Sequence, residues 1–393
     1  MIRKDRETES RGEPVPVQPT NTESRKQLVQ ILRWGVTLGA IAWVLLKINW
    51  RDQVVLANGE AVRGHVQVLD DRYIVRQNGQ ERRIPLEETS GEDCFQPGFL
   101  TLFTQIRPEY LVLALFVYPL SNLLGAVRWR ELMRAHQLDI GFMRCLKLTW
   151  LGFFWSLVFP GVTGGDVVKA YSVARTATKR AVAVLTVLLD RIIGMVGLAI
   201  LSGVVILFNL HNQELRTVST GILLFILAAV GSGVLFFSRR LRRWFGLATL
   251  MSLLPFQSKV VQLDEALFHY RYHKWTILFT ILLSVGTHIV NVGIFLLAGL
   301  SLGLPVAWQN YFVFIPVMLM IAALPISVGG LGVFESGVAH FFTLRGVGAT
   351  ASQALALCVL YRLLTILVGL PGAAVQIEPQ AESPEPVSRV SSA

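Results

Sequence analysis

The chain has 393 residues, 53% of them hydrophobic and only 16% charged, with a formal net charge of +10. Apolar stretches of about 20 residues recur along it, each long enough to cross a bilayer; this excludes a soluble globular protein, and a β-barrel would show shorter alternating segments. The basic residues gather beside apolar segments, where they orient membrane proteins, so no nucleic-acid partner is expected, and Cys94, Cys145 and Cys358 lie too far apart in sequence for a metal site or a disulfide framework.

Residues 1–27 are polar, proline-bearing and of mixed charge, and read as a disordered cytoplasmic tail. The apolar run 31–48 has no small-residue cleavage site after it, so residues 28–50 read as a retained first transmembrane helix rather than a signal peptide. Residues 51–92 differ in kind. Val54-Val55-Leu56, Val66-Gln67-Val68-Leu69 and Tyr73-Ile74-Val75 are short β-type runs, and Asn58-Gly59 and Asn78-Gly79 are hairpin signals. A small β-meander, SH3-like, is expected there, leaning on the membrane domain because about 40 residues make a thin core. A disordered loop is the alternative. With its linker, this extracytoplasmic insert extends to residue 107, and the membrane domain takes residues 108–376.

The span 110–127 ends in Arg128-Trp129-Arg130, followed by Arg134, which marks a cytoplasmic end and puts the insert outside. The apolar run 145–160 stops at Pro160-Gly161-Val162-Thr163-Gly164-Gly165-Asp166, and basic residues follow it: Lys169, Arg175, Lys179 and Arg180. A full crossing would put that cluster outside, so a re-entrant hairpin is expected, its irregular backbone covered by protein or water. Residues 181–208 cross outward and 218–237 cross back. A strongly basic loop follows, and its stretch 239–254 reads as amphipathic. Residues 275–297 cross outward, and 309–325 enter from outside up to a second break, Pro325-Ile326-Ser327-Val328-Gly329-Gly330-Leu331-Gly332. Residues 354–375 cross inward to a tail, 377–393, that reads as disordered. Trp50, Trp129, Trp275 and Trp308 fall near span ends and read as interfacial anchors.

The two breaks share a plan: Pro, three residues, Gly-Gly, then an acid, then a long apolar helix carrying an arginine. The acids are Asp166 and Glu335, and the arginines are Arg191 and Arg362. The first hairpin enters from the cytoplasm and the second from outside, so the fold class expected is an all-α polytopic membrane protein with inverted repeats and broken re-entrant helices, plus the β insert. Such repeats build a site near the bilayer midplane. Chance likeness of two Gly/Pro loops is the alternative.

Asp166, Asp190, Arg191, Glu335 and Arg362 are the ionisable groups nearest to apolar or re-entrant stretches, where each must pair or face a polar cavity. Arginine offers phosphate two parallel hydrogen bonds, and a helix starting after each Gly-Gly adds backbone N–H groups. A lipid head group site is one reading. The other is structural, with Arg191 and Arg362 pairing Glu335 and Asp166 to hold the halves together. Asp190 and Arg191 are adjacent and point about 100° apart on a helix. His288 and Asn291 share a face, where interhelical hydrogen bonding is favoured over a ligand or proton-relay role. No nucleophile elbow, metal-spaced cluster or P-loop is present, so no catalytic residue, metal or cofactor is expected.

At these residues the chain resembles the lysylphosphatidylglycerol synthase transmembrane-domain family of flippase-like integral membrane proteins. The resemblance covers residues 111–375. It rests on Arg128-Trp129, Pro160 with Gly165-Asp166, Asp190-Arg191, the run from Pro325 through Ser327, Gly329, Gly330, Leu331 and Gly332 to Glu335, then Gly346, Arg362 and Pro371-Gly372. The run in the second half is the most specific. The family often has arginine three residues after its Gly-Asp, where this chain has Lys169. The resemblance implies lipid translocation, with Arg128, Asp166, Lys169, Asp190, Arg191, Glu335 and Arg362 as substrate-binding candidates. Pro160, Gly164, Gly165, Pro325, Gly329, Gly330 and Gly332 form the helix breaks. Some family members carry a fused aminoacyl transferase; none follows the last span of this sequence, so lysine transfer is not expected. A membrane-embedded transferase acting on a lipid-linked substrate and a scaffold are the alternatives. The expected partner is a membrane lipid, with homo-oligomerisation and an extracytoplasmic partner of the insert left open.

Overall fold

The computed structural model describes residues 21–69, 72–77, 80–89, 94–138, 140–159, 164–175, 180–209, 273–323, 330–344 and 346–375, with scattered helical residues from 220 to 231. The turn Asn78-Gly79, the basic stretch 239–254, most of the return span 218–237 and the tail 377–393 lie outside the described residues.

Helix α1, Asn21–Lys47, begins inside the stretch expected to be unstructured. Glu23, Arg25, Lys26 and Gln27 are all good helix formers and extend the apolar helix backwards. The insert is a five-stranded antiparallel sheet of β1 (Asp52–Val55), β2 (Ala61–Val68), β3 (Arg72–Gln77), β4 (Gln80–Pro85) and β5 (Phe95–Gln96), in the order β4-β3-β2-β1-β5. Alternation decides its faces: Val62 and Val66 of β2 are buried with Val75 and Ile84, while Arg63, His65 and Gln67 point away. Strand β4 escapes hydrophobic patterning because Ile84 is its one buried residue, the mark of a charged edge strand. The insert is fastened to the helices. Gly98 N donates to Asp52 Oδ1 at 2.7 Å, and Asn49 N donates to Ser352 Oγ at 2.8 Å.

The helical domain follows in order: α2 (Phe99–Thr104), α3 (Pro108–Ala135), α4 (Phe142–Val158), α5 (Gly164–Ala174), α6 (Arg180–Asn209), α7 (Lys274–Ser301), α8 (Trp308–Ala323), α9 (Val333–Phe342) and α10 (Ala351–Gly369). Helix α10 runs on into a 3-10 turn, Leu370–Ala374. Among the described residues four helices are long and apolar enough to cross a membrane: α3, α6, α7 and α10 with its 3-10 extension. Proline opens α3, where its missing N–H costs nothing. Thr350 and Gln353 cap α10 reciprocally, at 3.3 and 2.8 Å.

Two helical hairpins are inserted among these spans. In the first, α4 and α5 run antiparallel, and Cys145 and Val173 at its mouth share a buried cluster with Trp129 and Met133 near the end of α3. In the second, α8 and α9 are zipped by aromatic pairs at the mouth, Tyr311 with Phe342 at 5.2 Å and Phe314 with Phe341 at 5.1 Å. That mouth lies by the end of α7, which is tied to the start of α3 by a bond from Arg107 N to Ser301 O at 2.8 Å. The two hairpins therefore open toward opposite ends of α3. Their short helices stop at Val158 and Ala323 and restart at Gly164 and Val333, on either side of the Gly-rich segments.

Candidate functional site

Among the described residues, a buried cluster of charge in the membrane domain is centred on Asp190 of α6. Arg128 of α3 donates from Nε to Asp190 Oδ1 at 2.7 Å and from Nη1 to Ser284 Oγ of α7 at 3.1 Å. Lys169 of α5 reaches Asp190 Oδ2 at 3.5 Å and lies 3.8 Å over the ring of Trp129. All three side chains are nearly inaccessible. A buried carboxylate needs such full compensation, and the aromatic face adds attraction for the ammonium. Lysine suits its position here. Arg128 already holds Asp190 Oδ1, so Oδ2 alone is left for a second cation, and a compact point charge between that oxygen and the indole suffices.

Two expectations are corrected at this point. The span does not end at Arg128; α3 continues through it to Ala135, and the Arg128 side chain is buried among the helices. Trp129 is no interfacial anchor. It is fully buried and donates from Nε1 to Thr186 Oγ1 at 3.2 Å. Trp50, Trp275 and Trp308 are exposed.

Asp190 and Arg191 diverge around α6 as their adjacency requires. Arg191 Nε sits 3.1 Å from Asp166 Oδ2, and both side chains are about one-third exposed. In the second half, Arg362 of α10 pairs with Glu335 of α9, whose other oxygen accepts from Gly332 N at 2.7 Å. The anticipated cross-pairing of Arg191 with Glu335 and Arg362 with Asp166 does not occur. Each arginine takes the acid of its own half, because each hairpin packs beside the long helix that follows it.

Arg128, Asp166, Lys169, Asp190 and Arg191 line one cavity of about 300 Å³. Its wall also carries Ser121, Asn122, Thr149, Ser156, Thr287 and Asn291. Asn122 Nδ2 and Thr149 Oγ1 are buried with no hydrogen-bond partner among the described residues. Glu335 and Arg362 sit apart, in a second cavity of about 200 Å³ walled by Leu157, Leu319, Ala322, Ala323 and Phe334. Tyr361 lines both. Sequence reasoning missed Asn122, Thr149, Ser284, Tyr118 and Tyr361. Neutral polar residues scattered through apolar runs give no pattern, although Tyr361 directly precedes Arg362. His288 Nε2 meets Gly194 O at 2.9 Å, an interhelical bond as expected.

The helix breaks work in two ways. Gly330 and Gly332 hold φ of +73° and +77°, a region closed to most side chains, and release the chain into α9. Gly165 has no such backbone. It is required by contact, since a Cβ there would fall 1.8 Å from Gly152 O of α4. Gly164 is also closely packed, against Phe159. Pro160, Pro325 and Gly329 lie outside the described residues.

The chain is similar to known membrane proteins. Over 122 residues it is 25% identical to the UPF0104 membrane protein PH1989 of Pyrococcus horikoshii, a match covering 30% of this chain and 35% of that protein. The chain thus spans about a third of that relative's length. Residues 98–372 match the family described as the lysylphosphatidylglycerol synthase TM region. The match opens directly after β5 and closes in the last 3-10 turn, leaving α1 and the sheet outside it. With both breaks, the Asp190 cluster and the Glu335–Arg362 pair inside that stretch, this multi-pass membrane protein belongs to the lysylphosphatidylglycerol synthase transmembrane-region family.

Proposed function

We propose that the chain is a flippase-like lipid translocase of the cytoplasmic (inner) membrane, carrying the head group of an anionic or glycosylated lipid across the bilayer. One observation carries this reading: the polar cavity sets three cations, Arg128, Lys169 and Arg191, against two carboxylates, and adds buried polar groups on Asn122 and Thr149 that have no partner among the described residues. Unsatisfied buried polar groups are costly, and a ligand rich in oxygen would satisfy them. A phosphate bearing hydroxyl groups meets both demands. At about 300 Å³ the cavity is at the lower end of small-molecule sites, fit for a head group while hydrocarbon stays in the bilayer.

Two further features support alternating access. The hairpins open toward opposite ends, and each half joins the acid after its Gly-Gly to an arginine of the next long helix. We read this as an inverted repeat. The end bearing Arg134 would then face the cytoplasm, and the five-stranded insert, SH3-like in its short antiparallel strands, would face outside.

Purified protein in liposomes carrying fluorescent phosphatidylglycerol or a fluorescent lipid-linked sugar tests the proposal. The labelled lipid of the inner leaflet should become accessible to a membrane-impermeant quencher faster than in protein-free vesicles. No acceleration for either lipid would defeat the translocase reading and leave the transferase or scaffold alternative.

A further inference from the structure

Between the two cavities stands a small network of hydroxyls. Tyr118 Oη of α3 donates to Tyr361 Oη of α10 at 3.1 Å and lies 2.9 Å from Thr365 Oγ1. Both rings are held in place. Tyr361 stacks on Phe295 of α7 with centroids 3.6 Å apart, and Tyr118 packs on Phe153 of α4 at 6.0 Å. Four helices thus meet at one pair of phenols. On one side is the polar cavity with Arg128, Lys169 and Arg191; on the other is the apolar one with Glu335 and Arg362. Tyr361 contributes to both walls and precedes Arg362 in sequence, so a shift of α10 moves divider and arginine together.

We infer that the Tyr118–Tyr361 hydroxyl pair is a gate that keeps the two cavities apart at rest and parts when a head group passes between them. The role assigned to Tyr361 is positional: its ring closes the passage and its hydroxyl latches it. The competing account is that two buried hydroxyls merely satisfy each other, as buried polar groups usually do. The two accounts differ in what the hydroxyls control. A latch governs access to the second cavity; a satisfied pair governs stability alone.

The proposal rests on the translocase reading, but its test does not need lipid movement. Cys358 lines the second cavity and is buried. In a background with Cys94→Ala and Cys145→Ala, it is the one cysteine left in the chain. A sulfonate-bearing methanethiosulfonate is anionic, like a phosphate, and is suited to the cationic cavity. Full-length protein in nanodiscs would be treated with this reagent and modification of Cys358 followed by mass spectrometry. Tyr361→Ala should speed modification at least tenfold, and Tyr361→Phe and Tyr118→Phe, which keep their rings, should speed it by a smaller factor. Rates equal to that of the parent in the two phenylalanine variants, with elution and intrinsic fluorescence unchanged, would overturn the latch. If Tyr361→Ala fails to fold, the phenylalanine variants still decide. In parallel liposomes, absence of lipid movement in the parent itself would remove the translocase reading while the labelling rates still judge the gate.

Discussion

Arg128 and Asp190 are 62 residues apart in sequence and 2.7 Å apart in space, joining α3 to α6 in the wall of the polar cavity. The pair differs in kind from Arg191 and Asp166, which line the same cavity but stand about one-third exposed. The buried pair joins two walls of the cavity, and on the proposed reading the exposed pair is the one that would exchange its partner for a ligand.

Removing one partner of the buried pair should therefore harm the fold. Asp190→Asn leaves Arg128 and Lys169 without their counter-charge, and Arg128→Gln leaves Asp190 with lysine alone. Loss of a partner from a buried pair costs about 3–5 kcal/mol. Both variants should show a clearly lowered melting temperature in detergent. Wild-type stability in both would show that the cluster is not structural.

Arg191→Gln and Arg362→Gln should act on function instead. A hydrogen bond to a charged group is worth about 1.5–3 kcal/mol, so lipid movement should fall roughly 10- to 100-fold in either variant. Expression and thermal stability should stay near wild type. If folded protein were lost in both, the arginines would be struts between hairpin and span, with no role in a site.

The breaks make a steric prediction that separates two kinds of glycine. Gly165→Ala drives a methyl into the backbone of Gly152, which cannot turn aside, so the first hairpin must open at a cost of about 1–3 kcal/mol. Gly330→Val suffers mainly from its left-handed backbone, about 1–2 kcal/mol. Both proteins should insert into membranes, as judged by carbonate extraction, and both should move lipid slowly. Normal transport by Gly330→Val would remove the break from the site.

The side of the membrane reached by the insert can be tested with a thiol probe. Gly59 would be a poor place for it, since its φ is +81°. Gln67 is exposed on regular strand β2 and accepts a cysteine without strain. With Cys94→Ser in the background, Gln67→Cys should react with an impermeant maleimide in intact cells. Reaction only after permeabilisation would invert the orientation and, with it, the assignment of the Arg134 end to the cytoplasm.

Much of this protein is written locally. Long uninterrupted apolar runs set α3, α6, α7 and α10, because a helix is the one open-ended structure that satisfies its own backbone in hydrocarbon. Gly-Gly after an apolar run located both hairpins, and ionisable residues near those runs flagged Asp166, Asp190, Arg191, Glu335 and Arg362, since charge at that depth demands a reason, while Arg128 and Lys169 entered through the family resemblance. What the sequence does not hold is partnership. The choice of Asp190 by both Arg128 and Lys169, the pairing of Arg191 and Arg362 within their own halves, and the burial of Trp129 all depend on how hairpins pack against spans. Strand β4 was hidden because an edge strand needs only one apolar residue. The contact of Tyr118 with Tyr361 bridges 243 residues, and a neutral hydroxyl in an apolar run carries no local signal of its partner. Local chemistry decides which residues cannot be left alone in a membrane; only the packing of helices against one another decides who meets them.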